Sequence, residues 1–280
     1  MEVTRVELTE EQSEVLGKVV EWSEEGKERL VVGGYAGTGK TTLLKEVVVE
    51  LSELNAAVAA FTGKAVTVLH KRGLKGAQTI HSLIYIPETK IDGSVVFRRK
   101  SSLDEEIILI DEASMVSRQA YDDLMSYKVP VLYIGDIGQL EPVGEDPRIM
   151  DSPDLLLKTV HRQAEKSPIL KFAMALRGGR RVSGFGKMEA PEGRLEIVEP
   201  SKVEAYYDKV DQIICGFNQT RLKGNDRIRK ALGRTGVLEP GDKIICLRNN
   251  RNLGLYNGMI LVTKRDNGVG RGNRGKEEKD

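Results

Sequence analysis

Cysteine is scarce in this chain of 280 residues: Cys215 and Cys246 are the only two, without zinc spacing, and they read as reduced cytosolic thiols. Aromatic residues make up 5% of the sequence, too few for a surface that works by stacking many bases on rings. An excess of one charge is missing as well. Lys and Arg number 43 against 42 Asp and Glu, so the net charge of +1 excludes a basic footprint over the whole molecule and leaves only a local groove. No apolar run reaches the roughly 18 residues of a membrane helix, and the start, MEVTRVELTEEQ, has no signal-peptide core. The expectation is a soluble, cytoplasmic protein with no membrane partner.

What is present is sharper. The stretch from Gly34 to Thr41, GYAGTGKT, fits the phosphate-cradling pattern G-x-x-x-x-G-K-[ST]. The apolar run Leu30-Val31-Val32 before it suits a buried strand. After it, Leu43, Leu44, Val47, Val48 and Leu51 recur at helical spacing. Strand, glycine loop and helix aim backbone N–H groups and a helix N-terminus at one place, where a triphosphate's charge would sit. Gly34, Gly37, Thr38, Gly39, Lys40, Thr41 and Thr42 are the candidate nucleotide-binding residues. Lys40 would reach the β- and γ-phosphates, and the Thr41 hydroxyl would hold Mg²⁺. The chain is expected to bind ATP with Mg²⁺.

Short apolar runs alternate with helical patterns, which, with the glycine loop, predicts an α/β fold of the P-loop NTPase kind with a mainly parallel sheet and helices on both faces. Strands are expected at 30–33, 58–61, 107–111 and 131–135. Between residues 86 and 103, Asp92-Gly93 signals a turn between short strands, and Arg98, Arg99 and Lys100 give it a basic rim, so an inserted β-hairpin is expected there. A second unit is expected over 151–263, following a first over 1–150. Ser167-Pro168 reads as an N-cap with proline at the first helical position, and Gly178-Gly179 as the stop. Further strands are expected at 195–198, 212–215 and 243–247, with a helix near 220–232. The last stretch, 264–280, is Gly-rich and basic with little apolar content, the composition of a disordered tail.

The run Ile107-Ile108-Leu109-Ile110 ends in Asp111-Glu112. Past a strand end, both carboxylates can turn to one ligand. Asp111 suits Mg²⁺, and Glu112 suits orienting and deprotonating an attacking water. This pair argues for hydrolysis rather than transfer to a small acceptor. The neighbouring strand leads into Gln139, which can touch the γ-phosphate.

The strings GYAGTGKTT, IDEASM and GDIGQLEPVG together resemble superfamily 1 DNA helicases, most closely the RecD-like and Dda-like branch (superfamily 1B). The resemblance implies an ATP-dependent helicase or translocase moving 5′ to 3′ along single-stranded DNA, or DNA with a single-stranded tail. Thr9-Glu10-Glu11-Gln12 looks like the family's N-terminal glutamine motif, in which Gln12 would read adenine; the same letters also spell a helix capping box. Thr62 and Lys64 in FTGKA, and Thr79 and His81 in TIHS, match segments that grip DNA in the first domain. The basic hairpin falls where the family inserts a small duplex-splitting domain. VHRQ matches the motif whose arginine, here Arg162, reaches across the cleft to the γ-phosphate. CGFNQTR matches a second-domain motif in which Asn218, Thr220 and Arg221 lie near DNA.

The resemblance runs from about Leu8 to Val262 and implies a RecA-like first domain over 1–150 and a second, truncated RecA-like domain over 151–263. Two late motifs of the family, T-x-H-K-[ST]-Q-G and Y-x-[AG]-x-[ST]-R, are not in the sequence. Three accounts compete: a helicase fragment, one half of a split motor completed by a C-terminal helicase fragment or another replication protein, or an ATP-gated module that binds single strands without translocating. A bacterial or phage-infected cell suits the pattern.

Overall fold

The computed structural model describes residues 7–90, 94–140, 142, 144–160, 167–182, 184–191, 193–207, 209–247, 253, 255 and 259–264. Helix α1 (Glu10–Glu25) is capped by Thr9 and ends at Gly26 in the left-handed conformation. Strand β1 (Arg29–Gly34) then leads through the glycine loop into α2 (Lys40–Glu50). Next come β2 (Ala56–Ala60), α3 (Gly63–Lys71), β3 (Gln78–Thr79) and the short α4 (Ile80–Ile84). The hairpin β4 (Tyr85–Thr89) and β5 (Val95–Arg99) follows, then β6 (Ile107–Asp111), α5 (Arg118–Met125), β7 (Val131–Gly135) and β8 (Leu155–Leu157).

Six of these strands form one sheet in the order β3-β2-β6-β7-β1-β8. Every pairing in it is parallel. Parallel strands covered on both faces read as unbroken apolar runs rather than alternating ones, which is why IILI and VLYI stand out in the sequence. All five residues of β6 are buried. Ile107 and Leu109 pack with Val19, Trp22 and Leu43 on one face. Ile108 and Ile110 pack with Leu83, Leu124 and Tyr133 on the other. The result is a three-layer arrangement with the strands' carboxyl ends along one rim.

The hairpin forms as expected, with Tyr85 opposite Arg99 and Thr89 opposite Val95; residues 91–93, which include its Asp92-Gly93 turn, lie outside the described residues. It is tied to α5: the Tyr85 hydroxyl donates to Asp123, and Arg99 pairs with Asp123 at 3.6 Å. The Arg99 guanidinium also lies 5.5 Å from the centre of the Tyr127 ring.

Beyond the sheet, α6 (Pro168–Arg177) begins where Ser167-Pro168 predicted and stops at Gly178. Strands β9 (Gly186–Ala190) and β10 (Gly193–Ile197) form one antiparallel pair, and β11 (Lys243–Ile245) and β12 (Ile260–Val262) another. Helix α7 (Asn218–Ala231) lies between them in sequence. Asp242 gathers this end of the chain: Arg229 and Arg234 pair with its carboxylate, and the Glu239 N–H donates to it.

Three expectations are corrected. The first sheet does not end by residue 150, because β8 pairs with β1 through Val32–Leu155, Gly33–Leu156 and Gly34–Leu157. A three-residue strand is too short to announce itself as LLL. Residues 212–215 form no strand; Ile213 and Ile214 are exposed there. β-branched composition does not make a strand where no ladder is offered. The 243–247 run shortens to three paired residues. The tail expected at 264–280 lies outside the described residues apart from Lys264.

Candidate functional site

The glycine loop turns where β1 ends. Gly37 and Gly39 have φ of 85° and 78°, which a side chain would strain. Gly34 matters for space instead, since a Cβ there would lie 2.7 Å from Thr38 Oγ1. Lys40 Nζ donates to the carbonyls of Gly34 at 2.9 Å and Tyr35 at 2.8 Å. It also lies 3.8 Å from Asp136 Oδ2. Burial lowers the Lys40 pKa, against the pull of Asp136, Glu112 and Asp111. Thr41 and Thr42 follow on the first turn of α2, both half-buried.

Gln12 is buried, and its side chain reaches two ways. Oε1 accepts the Thr9 N–H at 3.0 Å, completing the capping box, and Nε2 donates to the Thr38 carbonyl at 3.1 Å. One residue thus ties the start of α1 to the phosphate loop, a link 26 positions apart that the capping pattern alone does not reveal. Its neighbour Glu11 accepts from the Lys158 and Thr159 N–H groups at 2.9 Å each, fixing α1 to the chain leaving β8.

At the end of β6 the two carboxylates diverge in character. Asp111 is buried, and its pKa is pushed up to about 6, first by desolvation and then by the charge of Glu112. Glu112 sits in the left-handed region at φ 55°, a conformation a non-glycine residue adopts only where its surroundings impose it. That bend aims its carboxylate at Gln139, whose Nε2 donates to Glu112 Oε2 at 3.0 Å. Ser114 Oγ donates to Gln139 Oε1 at 2.9 Å and thereby fixes the amide's orientation. Glu112 thus links the three: its N–H donates to Asp111 Oδ1 at 3.0 Å and its carboxylate accepts from Gln139.

A buried carboxylate, Asp111, repelled by the half-buried Glu112 and standing near a lysine is relieved by a cation, so these donors fit a divalent ion. Among the described residues no cluster of three or more His, Cys, Asp or Glu is placed to hold one alone. Thr41 and Asp111 would share such an ion with phosphate oxygens, the usual arrangement for Mg²⁺.

The candidate DNA residues are more dispersed. Thr62 caps α3 by accepting from the Ala65 N–H at 3.2 Å, and Lys64 is exposed on its first turn. Thr79 caps α4, accepting from the Ser82 N–H at 3.1 Å, and is itself buried. His81 is exposed and packs against Tyr85 and Phe97, its ring centre 4.5 Å and 5.3 Å from theirs. Desolvation lowers its pKa, so it is a neutral ring at pH 7. Asn218, Thr220 and Arg221 lie exposed on the first turn of α7, with Arg221 Nε donating to Asn218 Oδ1 at 3.3 Å. Arg162 lies outside the described residues.

Sequence reasoning missed Ser114 and Asp136, although both stand inside quoted motifs, and it gave no role to Glu11 or Arg177. Asp136 had one local signal, a carboxylate at the end of the strand next to the phosphate loop.

Comparison with known proteins agrees with this geometry. The profile of an AAA domain family matches residues 7–199. The ATP-dependent DNA helicase dda of Enterobacteria phage T4 is 31% identical over 191 residues, covering 62% of this chain and 43% of that protein. The ATP-dependent RecD2 DNA helicase of Deinococcus radiodurans is 26% identical over 296 residues, covering 94% and 39%. The chain thus spans about two fifths of the length of these curated relatives. Among solved structures, a Pif1 helicase at forked DNA superposes with a TM-score of 0.58 at 23% identity, over 92% of this chain and 71% of that one. Bacteroides Pif1 bound to ADP-AlF3 and single-stranded DNA gives 0.57 at 20%, over 92% and 70%. A glycine loop, a strand-end acid pair and a nearby glutamine lie on one parallel sheet, and with the profile matching residues 7–199 the chain belongs to the AAA domain family, in the RecD-like and Dda-like branch of superfamily 1B.

Proposed function

We propose that this chain is the ATP-hydrolysing part of a DNA helicase or translocase, coupling hydrolysis to 5′-to-3′ movement on single-stranded DNA. The observation that carries the reading is the relay Ser114–Gln139–Glu112, set beside Asp111 at the end of β6. A carboxylate held in one direction by an oriented amide can place a water for in-line attack and take its proton. The relatives' names support DNA as the track, and a structural neighbour was solved with single-stranded DNA.

In this mechanism Lys40 exchanges the carbonyls of Gly34 and Tyr35 for the β- and γ-phosphates of ATP. Thr41 and Asp111 hold Mg²⁺, which when bound offsets the charge gathering on those phosphates. Glu112 orients and deprotonates the water. Gln139 stands between Glu112 and Ser114, so a change at the γ-phosphate moves a side chain anchored on the other side of the loop. Gln12 trades a cap contact for adenine or holds the loop from outside; in both roles it acts on Thr38. The first-domain grip uses Thr62, Lys64, Thr79 and His81, and the second, beyond about residue 158, uses Asn218, Thr220 and Arg221. Arg162 closes the cleft, a role resting on the VHRQ resemblance. The work belongs to the cytoplasm of a bacterial or phage-infected cell, a reading supported by relatives from a phage and a bacterium.

A second reading is favoured by one observation. In the β11–β12 pair Ile245, Ile260 and Val262 are about half exposed, at 51%, 49% and 57%, and α7 has no buried residue. Such an apolar ladder, two-stranded among the described residues, suits addition of further strands. It supports a split motor or an ATP-gated single-strand module completed by a C-terminal helicase fragment or a replication protein.

Steady-state ATP hydrolysis with and without single-stranded DNA tests both, with Glu112→Gln as the blank. Stimulation by DNA in the chain alone supports a self-sufficient motor. ATP binding without stimulated turnover supports the second reading, and no ATP binding by the wild-type chain overturns both. Arg162→Ala is expected to bind ATP yet turn over slowly, and unchanged turnover would remove Arg162 from the site.

A further inference from the structure

Asp136 is a charged group in an unusual position. Its side chain is 3% exposed, and two cations flank the same oxygen: Lys40 Nζ at 3.8 Å and Arg177 Nη2 at 3.6 Å. Its other oxygen accepts the Gly138 N–H at 2.8 Å. Arg177 is the last residue of α6, 41 positions downstream, and is itself only 28% exposed. Its guanidinium also lies 5.7 Å from the centre of the Tyr35 ring, inside the phosphate loop. The chain leaves room for it: a Cβ on Gly138 would stand 2.5 Å from Arg177 Nε, and the three atoms nearest to it all belong to that side chain.

A buried carboxylate stripped of its cation is costly, because neither water nor a second charge can replace the lost partner. The Proposed function requires Lys40 to turn towards the phosphates. On that reading, whichever cation stays with Asp136 decides how easily Lys40 leaves.

We propose that Arg177 is a positioning residue of the nucleotide site: it holds Asp136 while Lys40 engages ATP, and through Tyr35 it links α6 to the phosphate loop. Without Arg177, Lys40 becomes the sole cation on Asp136 and is retained there, so ATP binding weakens while the chemical step, which depends on Glu112 and Gln139, is spared. Lysine is a poor substitute, since it keeps the charge but lacks the planar, forked guanidinium that lies near Tyr35 while reaching Asp136.

The test is a mutant cycle read by titration of a fluorescent ATP analogue and by KM against kcat. Arg177→Ala is expected to weaken analogue binding and raise KM about fivefold, with kcat within about twofold, the pattern of lost ground-state binding. Asp136→Asn keeps an oxygen for the Gly138 N–H but removes the charge that retains Lys40. In that background Arg177→Ala should therefore have no further effect, a non-additivity expected of directly coupled groups. Gly138→Ala, which displaces the guanidinium without touching its charge, should reproduce the Arg177→Ala defect and not add to it. Arg177→Lys should fall between. If Arg177→Ala does not fold, Arg177→Gln takes its place in the cycle.

Wild-type affinity in Arg177→Ala would overturn the proposal, and so would a defect that persists unchanged in the Asp136→Asn background. The binding titration stands without turnover. A chain that binds the analogue but does not hydrolyse ATP would fail the Proposed function and still decide the role of Arg177.

Discussion

At the scale of single residues, the site stores a cost that its ligands relieve. Burial pushes the Asp111 carboxyl up to about 6, well above the 3.8 of an ordinary aspartate. The folded state therefore binds more protons than the unfolded chain between those values. By linkage, stability falls as pH rises from about 4 to about 6 and then levels. Two units correspond to about 3 kcal/mol at neutral pH. Asp111→Asn is expected to remove that slope, raising the melting temperature at pH 7.5 by several degrees while abolishing Mg²⁺-dependent hydrolysis; thermal melts across pH 4 to 8 check the first part, and an unchanged slope would remove Asp111 as its cause. Glu112→Gln should behave differently, retaining ATP affinity within about threefold while hydrolysis falls by at least about 100-fold, the scale of a lost general base. Single-turnover measurements separate the two. Lys40, Asp111, Glu112 and Gln139 were legible because each closes a local pattern of strand, loop and charge. Ser114, Asp136 and Arg177 were not, because their meaning lies in partners 25 to 96 positions away.

At the scale of elements, the sequence was most readable where a boundary is written in local chemistry. Thr9, Thr62, Thr79, Ser117 and Ser167 all cap helices with their side-chain oxygens. Two of these, Thr62 and Thr79, are also candidate DNA residues; the Thr62 hydroxyl, accepting the Ala65 N–H, still has its proton to give, whereas Thr79 already donates its own to Ser82 Oγ at 2.9 Å. Replacing Thr62 by alanine would cost about 1 kcal/mol of cap stability in any case. Thr62→Asn keeps a cap and is the cleaner probe of DNA contact. The hairpin is a second case. Its presence was legible in Asp92-Gly93, but its anchoring was not, because Asp123 on α5 and Tyr85 on β4 meet only in space. Burial and the Asp123 carboxylate raise the Tyr85 pKa, so the phenol stays protonated and donates throughout the physiological range. Tyr85→Phe should cost about 1 kcal/mol, the worth of one hydrogen bond to a partly buried partner. Faster amide exchange confined to β4 and β5 would show that the bond serves the hairpin; exchange accelerating equally over the six-stranded sheet would assign it to the core. Failures at this scale, the missing strand at 212–215 and the unforeseen β8, are pairing events that composition does not encode.

For the whole molecule, near-neutral charge sets the terms of any nucleic-acid encounter. With 43 cationic and 42 anionic side chains, long-range attraction to a polyanion averages out. Affinity must come from cations that the fold brings to one rim. The first-domain candidates, Lys64 and the neighbours of His81, stand on α3 and α4, which follow β2 and β3 at the carboxyl edge of the sheet where the phosphate loop also lies. On the proposed reading, track and fuel site would share an edge, and a shift of one loop would reach both. About five phosphate contacts would give a log–log salt slope near −3.5 for single-stranded DNA. Lys64→Ala should reduce the magnitude of that slope by about 0.7 and weaken binding by a similar factor for all sequences, since phosphate contacts carry no base information. His81→Ala should leave the slope unchanged, because the imidazole is neutral at pH 7 and any contribution from it is packing against the strand. Fluorescence anisotropy of a labelled oligonucleotide over a range of salt concentrations distinguishes these cases. A slope near zero in the wild-type chain would show that this rim does not hold the DNA backbone, and that the exposed first turn of α7 has to be tested in its place.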